Sequence, residues 1–149
     1  MPDEILKLED QLCFSLYATT REMTKRYRPL LEDLQITYPQ YLVLLVLWEK
    51  DAISVKELGH RLYLDSGTLT PMLKRMAEHD WIKRERSDQD ERKVIVTLTE
   101  KGRAAQEKAA CIPTKLLENV DGDPEEFEQL KRTLMKMLHS LHEQNTKER

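Results

Sequence analysis

The fold is decided by residues 53–98, which read ISVKELGHRLYLDSGTLTPMLKRMAEHDWIKRERSDQDERKVIVTL. This stretch opens with a capping-box pattern that runs from Ser54 to Glu57. In such a box the serine hydroxyl accepts from one free helix N–H, and the glutamate side chain reaches back to another. The pattern predicts a helix that begins after Ser54 and ends near Tyr63.

A second helix is predicted directly after a short turn at residues 64–67, LDSG. Asp65 or Ser66 can cap this helix, which extends to about Glu78. Two short helices joined by a turn that contains a glycine form the helix-turn-helix pattern.

Two β-like runs follow at residues 81–86 and 93–98, and the charged segment 87–92 lies between them. They predict a hairpin whose loop is too long for a two-residue turn. Helix, turn, helix and hairpin in this order predict a winged helix, and duplex DNA is the usual partner of such a fold. The predicted fold class is therefore mainly α with a small β-hairpin wing.

Long helices are predicted on the amino-terminal side of this core. Residues 4–34 carry apolar side chains close to helical spacing and predict one long helix or two joined helices, and Pro29 should end or kink the run near Arg28. Thr37 begins another capping-box pattern. The helix behind it contains residues 41–48, YLVLLVLW, which are apolar almost all round, so we expect it to be the buried central element.

Long helices are also predicted after the wing. Thr99 should cap a helix that continues to about Glu118 with a bend at Pro113, and Asp123 should cap the last helix. One face of the last helix is apolar and consists of Phe127, Leu130, Leu134, Met137 or Leu138, and Leu141. Because such a face needs a partner, residues 4–36 and 100–143 are predicted to be dimerisation helices of a single domain, residues 1–149.

Composition and charge set limits on function. The chain of 149 residues has no apolar run near the roughly 20 residues of a membrane span, and its acidic amino terminus lacks the order of a signal peptide, so a cytoplasmic location is expected. The net charge is −3, but residues 54–103 carry 11 Lys and Arg against 9 Asp and Glu. This local excess permits docking on phosphates without proving it.

Candidate DNA contacts lie on the second helix of the helix-turn-helix and on the wing. Basic side chains there can bind phosphates or base edges, and short hydroxyl side chains can meet base edges. The simpler interpretation is that they are solvated charges and helix caps. The candidates are Asp65, Ser66, Thr68, Thr70, Pro71, Lys74, Arg75, Arg84, Arg86, Asp90, Arg92 and Lys93.

The two cysteines, Cys13 and Cys111, are expected to be free thiols in a reducing compartment. Taken alone, Cys13 is most simply a small apolar residue of the core. Tyr17 shares its helical face, and Tyr17, Tyr27 and Tyr38 could each donate a hydrogen bond to a thiolate. No metal site or cofactor is predicted, since the histidine pair on the last helix lacks a carboxylate or thiol in register.

Several segments occur together in one known family of regulators. The wing tip 90–92, DER, precedes residues 98–102, LTEKG. Residues 11–17, QLCFSLY, come before residues 36–42, ITYPQYL, and residues 62–75, LYLDSGTLTPMLKR. The first two segments resemble the multiple antibiotic resistance regulator (MarR) family, and the other three resemble its branch of organic hydroperoxide resistance regulators.

The resemblance covers residues 8 to about 117 and implies a dimeric repressor of a peroxide-detoxifying gene. Such a repressor would bind an inverted-repeat operator and be released when an organic hydroperoxide oxidises Cys13. The resemblance further implies that Tyr27 and Tyr38 reach Cys13 from the other subunit. A low-molecular-weight thiol could then trap the oxidised cysteine. Cys111 does not match the resolving cysteine of two-cysteine relatives and is predicted to be a bystander.

Three other functions compete with this one. A MarR-type repressor released by a bound aromatic anion would use Cys13 only for packing. A thiol peroxidase would act through Cys13, but the sequence offers no arginine or threonine placed for turnover, so an enzyme is not expected. A winged helix that binds protein would have a partner whose affinity is insensitive to salt.

Overall fold

The computed structural model describes residues 5–148, which divide into two compact units between Leu116 and Leu117. Within the described residues, the first unit holds six α-helices and three strands, and the second holds one long α-helix. The predicted helix start at residue 4 and both ends of the predicted domain lie outside the described residues. No helix between residues 5 and 148 is both long and apolar enough to cross a membrane.

The elements alternate between helices and short strands along the first unit, and a 3-10 turn at Leu8–Asp10 precedes them. In chain order they are α1 (Leu12–Glu32), α2 (Tyr38–Glu49), β1 (Ile53–Ser54), α3 (Val55–Leu62), α4 (Ser66–Glu78), β2 (Ile82–Arg86), β3 (Val94–Leu98), α5 (Glu100–Ala109) and α6 (Ile112–Leu116). The second unit contains α7 (Pro124–Lys147).

Side-chain caps begin most of these helices at the predicted positions. Thr37 forms the complete capping box of α2, with Gln40 returning the bond. Ser54 accepts from the Glu57 N–H at 3.0 Å, but the Glu57 carboxylate binds Lys50 instead, so only half of that predicted box is present. Each cap satisfies one of the free N–H groups that every helix start leaves.

The first helix differs from the prediction at both ends. It begins at Leu12 because residues 8–10 form a 3-10 turn, and it continues through Pro29 to Glu32. A proline removes only one N–H from the helix ladder. The turn after Pro29 is held in the core by Leu31, which is only 2% exposed, so the proline does not end the helix.

The predicted helix from Thr99 to Glu118 is two helices. α5 ends at Ala109, and α6 starts at Ile112. Pro113 is the second residue of α6, where its missing N–H needs no helical partner. Ile112 and Leu116 are both buried, and their burial favours a new helix over a bent continuation of α5.

The sheet has three antiparallel strands in the order β1-β3-β2. β2 and β3 pair from Ile82 opposite Leu98 to Arg86 opposite Val94, which places the wing hairpin one residue inside the predicted runs. β1 was not predicted, and it pairs Ile53 with Val96. The helix-turn-helix followed by this hairpin confirms the winged helix.

Helix α2 supplies the centre of the core, as predicted. It contacts α1, α3, α5 and β3. Its buried side chains point in several directions around the axis and are Tyr41, Val43, Leu44, Val46 and Leu47. A helix that is apolar all round is stable only when it is covered on most sides.

Hydrogen bonds between side chains and backbone fasten the base of the wing. Asp51 accepts the Leu98 N–H at 2.9 Å and so ties β3 to the loop after α2. Thr99 caps α5 by accepting the Gly102 N–H, and its hydroxyl lies 3.1 Å from the Trp81 carbonyl oxygen. A Cβ on Gly102 would collide with that same carbonyl oxygen, so α5 and the start of β2 are in backbone contact.

Replacing Gly102 with Ala should therefore destabilise the protein. Alanine favours a helix by about 1 kcal/mol over glycine, but the collision with the Trp81 carbonyl should cost about 1–3 kcal/mol more than this gain. Urea unfolding followed by circular dichroism measures the net change in the free energy of unfolding.

The control is Gly67→Ala in α4, where an added Cβ would lie 3.3 Å from an Asp65 carboxylate oxygen, a tight side-chain contact and not a collision with backbone. This variant should be clearly more stable than Gly102→Ala. Equal stability of the Gly102 variant and the wild type would contradict the close packing described for the wing base.

Candidate nucleic-acid interface and thiol site

Helix α4 has one buried face and one exposed face. Its buried side chains follow the helical spacing and are Leu69, Met72, Leu73 and Met76. The predicted contacts on this helix and at its cap are all exposed: Asp65, Ser66, Thr68, Thr70, Pro71, Lys74 and Arg75. The burial of one face thus presents the other, with its hydroxyl and cationic side chains, to solvent.

The amino-terminal end of α4 is shaped by Asp65. Its carboxylate accepts the Thr68 N–H at 2.7 Å, so Asp65, and not Ser66, is the cap. The Ser66 hydroxyl is therefore not committed to capping this helix. α4 continues through Pro71 to Glu78, and Pro71 lies on the exposed face.

Hydrogen bonds to the backbone of the loop hold the wing tip in shape. Asp90 accepts the Arg92 N–H on its carboxylate at 3.0 Å and the Lys93 N–H on its carbonyl at 3.0 Å. Arg86 donates to the Glu91 carbonyl at 2.9 Å and braces the same turn. Asp90 therefore positions the backbone of Arg92 and not its guanidinium.

The predicted cations of the wing differ in exposure. Arg92 and Lys93 are exposed, and neither side chain forms an ion pair or hydrogen bond with any residue from 5 to 148. Arg84 is half-buried, and its shielded Nε has no hydrogen-bond partner among the described residues. Arg92 and Lys93 are thus both available at the wing tip, whereas Arg84 offers only part of its guanidinium.

Cys13 lies in the first turn of α1 and is exposed. Tyr17 follows one turn later with 61% of its surface exposed, and the Arg21 guanidinium lies 5.5 Å from the centre of its ring. Within a single chain, Cys13 therefore lies outside the core of the first unit.

Tyr27 and Tyr38 form a tight pair between α1 and α2, with ring centroids 4.4 Å apart. Tyr41 completes the cluster at 5.9 Å from Tyr27 and 6.3 Å from Tyr38. Burial raises the pKa of Tyr27 far above its ordinary value, and the neighbouring Tyr38 and Tyr41 raise it further. Burial likewise raises the pKa of Tyr41, so both phenols stay protonated and can act as hydrogen-bond donors near neutral pH.

The chain does not bring Cys13 to this tyrosine pair. Cys13 and Tyr27 lie on one continuous helix and are 14 residues apart. At about 1.5 Å per residue they are separated by about 21 Å along the axis, which is farther than the two side chains can span. A hydrogen bond between them is possible only if they belong to two copies of the chain.

Cys111 lies in the link between α5 and α6, where its thiol donates weakly to the Lys108 carbonyl at 3.6 Å. It is exposed, like Cys13. Among residues 5–148, no three His, Cys, Asp or Glu side chains are grouped so that they could hold a metal ion. His139, one of the pair considered above, lies 3.6 Å from Glu143.

Tyr41 and Trp48 lie next to the tyrosine pair, and neither was predicted as a site residue from the sequence. Trp48 packs edge-on against Tyr41 with centroids 6.3 Å apart, and its indole N–H donates to the Gly102 carbonyl at 2.8 Å. Residues 38, 41 and 48 are spaced by three and seven, so their common helical face could have been found from the sequence. The hydrogen bond to α5 could not.

Comparison with known proteins decides the family. The sequence profile described as transcriptional regulator SarA/Rot matches residues 25–109. The organic hydroperoxide resistance transcriptional regulator of Bacillus subtilis is 55% identical over 140 residues, which cover 94% of this chain and 95% of that protein. The chain belongs to the MarR-type family of DNA-binding transcriptional regulators.

Solved structures agree with this membership. Reduced AbfR bound to DNA is 37% identical and has a TM-score of 0.81, covering 96% of this chain and 98% of that one. Overoxidised AbfR bound to DNA is 39% identical and has a TM-score of 0.77, covering 95% and 99%. AbfR is a protein of Staphylococcus epidermidis. The matched profile and the Bacillus subtilis relative both describe transcriptional regulators.

Proposed function

We propose that this regulator is a repressor that binds an inverted-repeat operator as a homodimer and leaves it when an organic hydroperoxide oxidises Cys13. One observation carries the proposal: an exposed thiol at Cys13 in a chain 55% identical to an organic hydroperoxide resistance regulator.

DNA docking uses the exposed face of α4 and the tip of the wing. The amino-terminal residues of the second helix in a helix-turn-helix contact base edges in the major groove. Ser66, Thr68 and Thr70 are exposed there and can donate to or accept from bases, while Lys74 and Arg75 reach phosphates. Arg92 extends this footprint from the wing.

Replacing Arg92 with Ala should weaken operator binding by about 1–3 kcal/mol. If its contact is to a phosphate, the slope of log affinity against log salt should fall by about one per subunit site. The test is fluorescence anisotropy at several salt concentrations, with a duplex that the wild-type protein selects from a random-sequence library.

Lys108→Ala is the matched control, because Lys108 is an exposed cation on α5 outside the winged helix. Its salt slope should equal that of the wild type. An Arg92 variant with unchanged affinity and slope would show that the wing does not contact DNA.

Assembly as a homodimer follows from apolar surface that nothing within either unit covers. Leu12 at the start of α1 is 60% exposed, and Leu130 on α7 is 53% exposed. The other large apolar side chains that are exposed on these segments are Leu8, Phe14, Tyr17, Met135, Leu138 and Leu141. Contiguous exposed apolar surface marks an interaction site, and an inverted repeat requires two copies held a fixed distance apart.

Sedimentation equilibrium at micromolar protein should give twice the mass of the chain. Leu130→Glu with Leu141→Glu should shift the equilibrium toward monomer, since it places charges on the uncovered apolar face. The matched control Glu128→Gln, on the same helix, should remain dimeric. A wild-type protein that sediments as a folded monomer would disprove the assembly.

Oxidation begins with attack of the Cys13 thiolate on the peroxide. An S–O bond forms as the O–O bond breaks, so Cys13 becomes a sulfenic acid. The alkoxide that leaves takes up a proton and becomes the alcohol. A low-molecular-weight thiol then condenses with it to give a mixed disulfide and water. The Cys13 thiolate would accept hydrogen bonds from Tyr27 and Tyr38 of the second copy, and the modified sulfur can no longer do so in the same geometry.

The bulk of the added group causes the repressor to leave its operator. It must be housed where two copies meet, and a shift there changes the spacing of the two α4 helices. Half-sites lie about 34–36 Å apart or a multiple of this, so a small shift abolishes simultaneous docking. Because overoxidised AbfR is bound to DNA, the oxidation product formed on this chain has to be identified in the test.

Cys13→Ser should bind the selected operator like the reduced wild type and stay bound after one equivalent of cumene hydroperoxide with a low-molecular-weight thiol. The wild type should be released, and intact mass on the same sample should show the mixed disulfide.

Cys111→Ser is the matched control and should be released like the wild type. If Cys111→Ser stays bound, Cys111 takes part in the switch. Release of Cys13→Ser at the wild-type dose would favour a repressor that is released by a bound aromatic ligand.

A further inference from the structure

Four aromatic side chains form a continuous column inside the first unit. Tyr27 of α1 packs against Tyr38 and Tyr41 of α2, and Tyr41 packs edge-on against Trp48 near the end of the same helix. Successive ring centroids are between 4.4 and 6.3 Å apart. The column therefore runs from the helix that carries Cys13 along the length of α2.

The far end of the column is fastened to the base of the wing. The Trp48 indole donates to the Gly102 carbonyl at 2.8 Å, and Gly102 lies against the Trp81 carbonyl with no room for a side chain. Thr99 binds the Gly102 N–H and is itself bonded to the Trp81 carbonyl oxygen. Trp81 directly precedes β2, which leads to the wing tip.

We propose that Trp48 is a positioning residue of the redox switch, which transmits a displacement of the Tyr27–Tyr38 pair to the wing through its hydrogen bond to Gly102. This inference rests on the proposed function, because it requires that oxidation of Cys13 in the second copy disturbs that pair.

The packing explains why a displacement travels along the column. Tyr41, in the middle of it, is only 3% exposed, and protein interiors have few voids into which a ring could move. A shift of Tyr27 and Tyr38 therefore has to be taken up by Tyr41 and Trp48 together. The indole N–H is partly shielded from water, so breaking its bond to the Gly102 carbonyl has a cost. The start of α5 follows the indole for this reason.

A purely structural role for Trp48 makes a different prediction. If the indole only fills the core, removing its N–H alters stability and the affinity of both redox states alike. If it transmits the displacement, its removal changes the ratio of the oxidised and reduced dissociation constants, because that ratio measures the coupling between the two sites.

Trp48→Phe tests this, because phenylalanine keeps an aromatic ring against Tyr41 but removes the N–H donor, together with part of the ring volume. The dissociation constant for the selected operator is measured for the reduced protein and for protein fully converted to the Cys13 mixed disulfide, as verified by intact mass. The ratio of the two constants should be at least about fivefold smaller in Trp48→Phe than in the wild type, the lower end of known couplings.

An unchanged ratio in Trp48→Phe would overturn the proposal while leaving the proposed function intact. A wild-type ratio near one would overturn both.

A second measurement uses the wild-type protein and does not depend on the variant folding. The chain has two tryptophans, so two indole N–H resonances are expected in a ¹⁵N-correlated spectrum, and Trp81→Phe assigns them. The Trp48 resonance should shift when Cys13 is modified, because the indole and its acceptor move together, and it should not change in Cys13→Ser given the same peroxide. A Trp48 resonance that stays in place in fully modified wild type would disprove the transmission.

Discussion

Burial of α2 on nearly all sides is the constraint on which the first unit depends. Each fully buried Leu or Val contributes roughly 1.5–3 kcal/mol, and Leu44, Leu47 and Val43 are shielded almost completely. The same helix contacts α1, α3, α5 and β3, so its apolar surface fixes the positions of the elements on either side of it. The apolar side chains of α4 and the wing are buried in this shared core, and their polar outward faces remain in solvent.

The wing solves a different physical problem, since its tip extends beyond the core. The side chains of Asp51 and Thr99 hold its base by hydrogen bonds to backbone groups, and Asp90 with Arg86 closes its tip. These polar contacts give the hairpin a fixed shape without engaging the Arg92 guanidinium. A cation held by its backbone and free at its head is suited to an electrostatic contact with a polyanion.

Assembly and oxidation are linked in the proposed mechanism by one distance. Cys13 and Tyr27 are about 21 Å apart along α1, so a thiol–tyrosine site is incomplete in a single chain. A second copy that covers the apolar start of α1 would also supply the missing tyrosines. The chemistry of the thiol would then act directly on the contact that sets the spacing of the two winged helices.

The sequence by itself determined the winged helix, the caps at Thr37 and Asp123 and the exposed face of α4, because capping and periodicity depend on residues only a few positions apart. Tertiary structure decided β1, which exists only through its pairing with β3, and the break before Ile112, where burial of two side chains outweighs helix continuation. It also decided that Pro29 stays within α1 and that Trp48 bonds to α5. These outcomes depend on contacts between residues far apart in the chain, and local sequence patterns carry no signal for them.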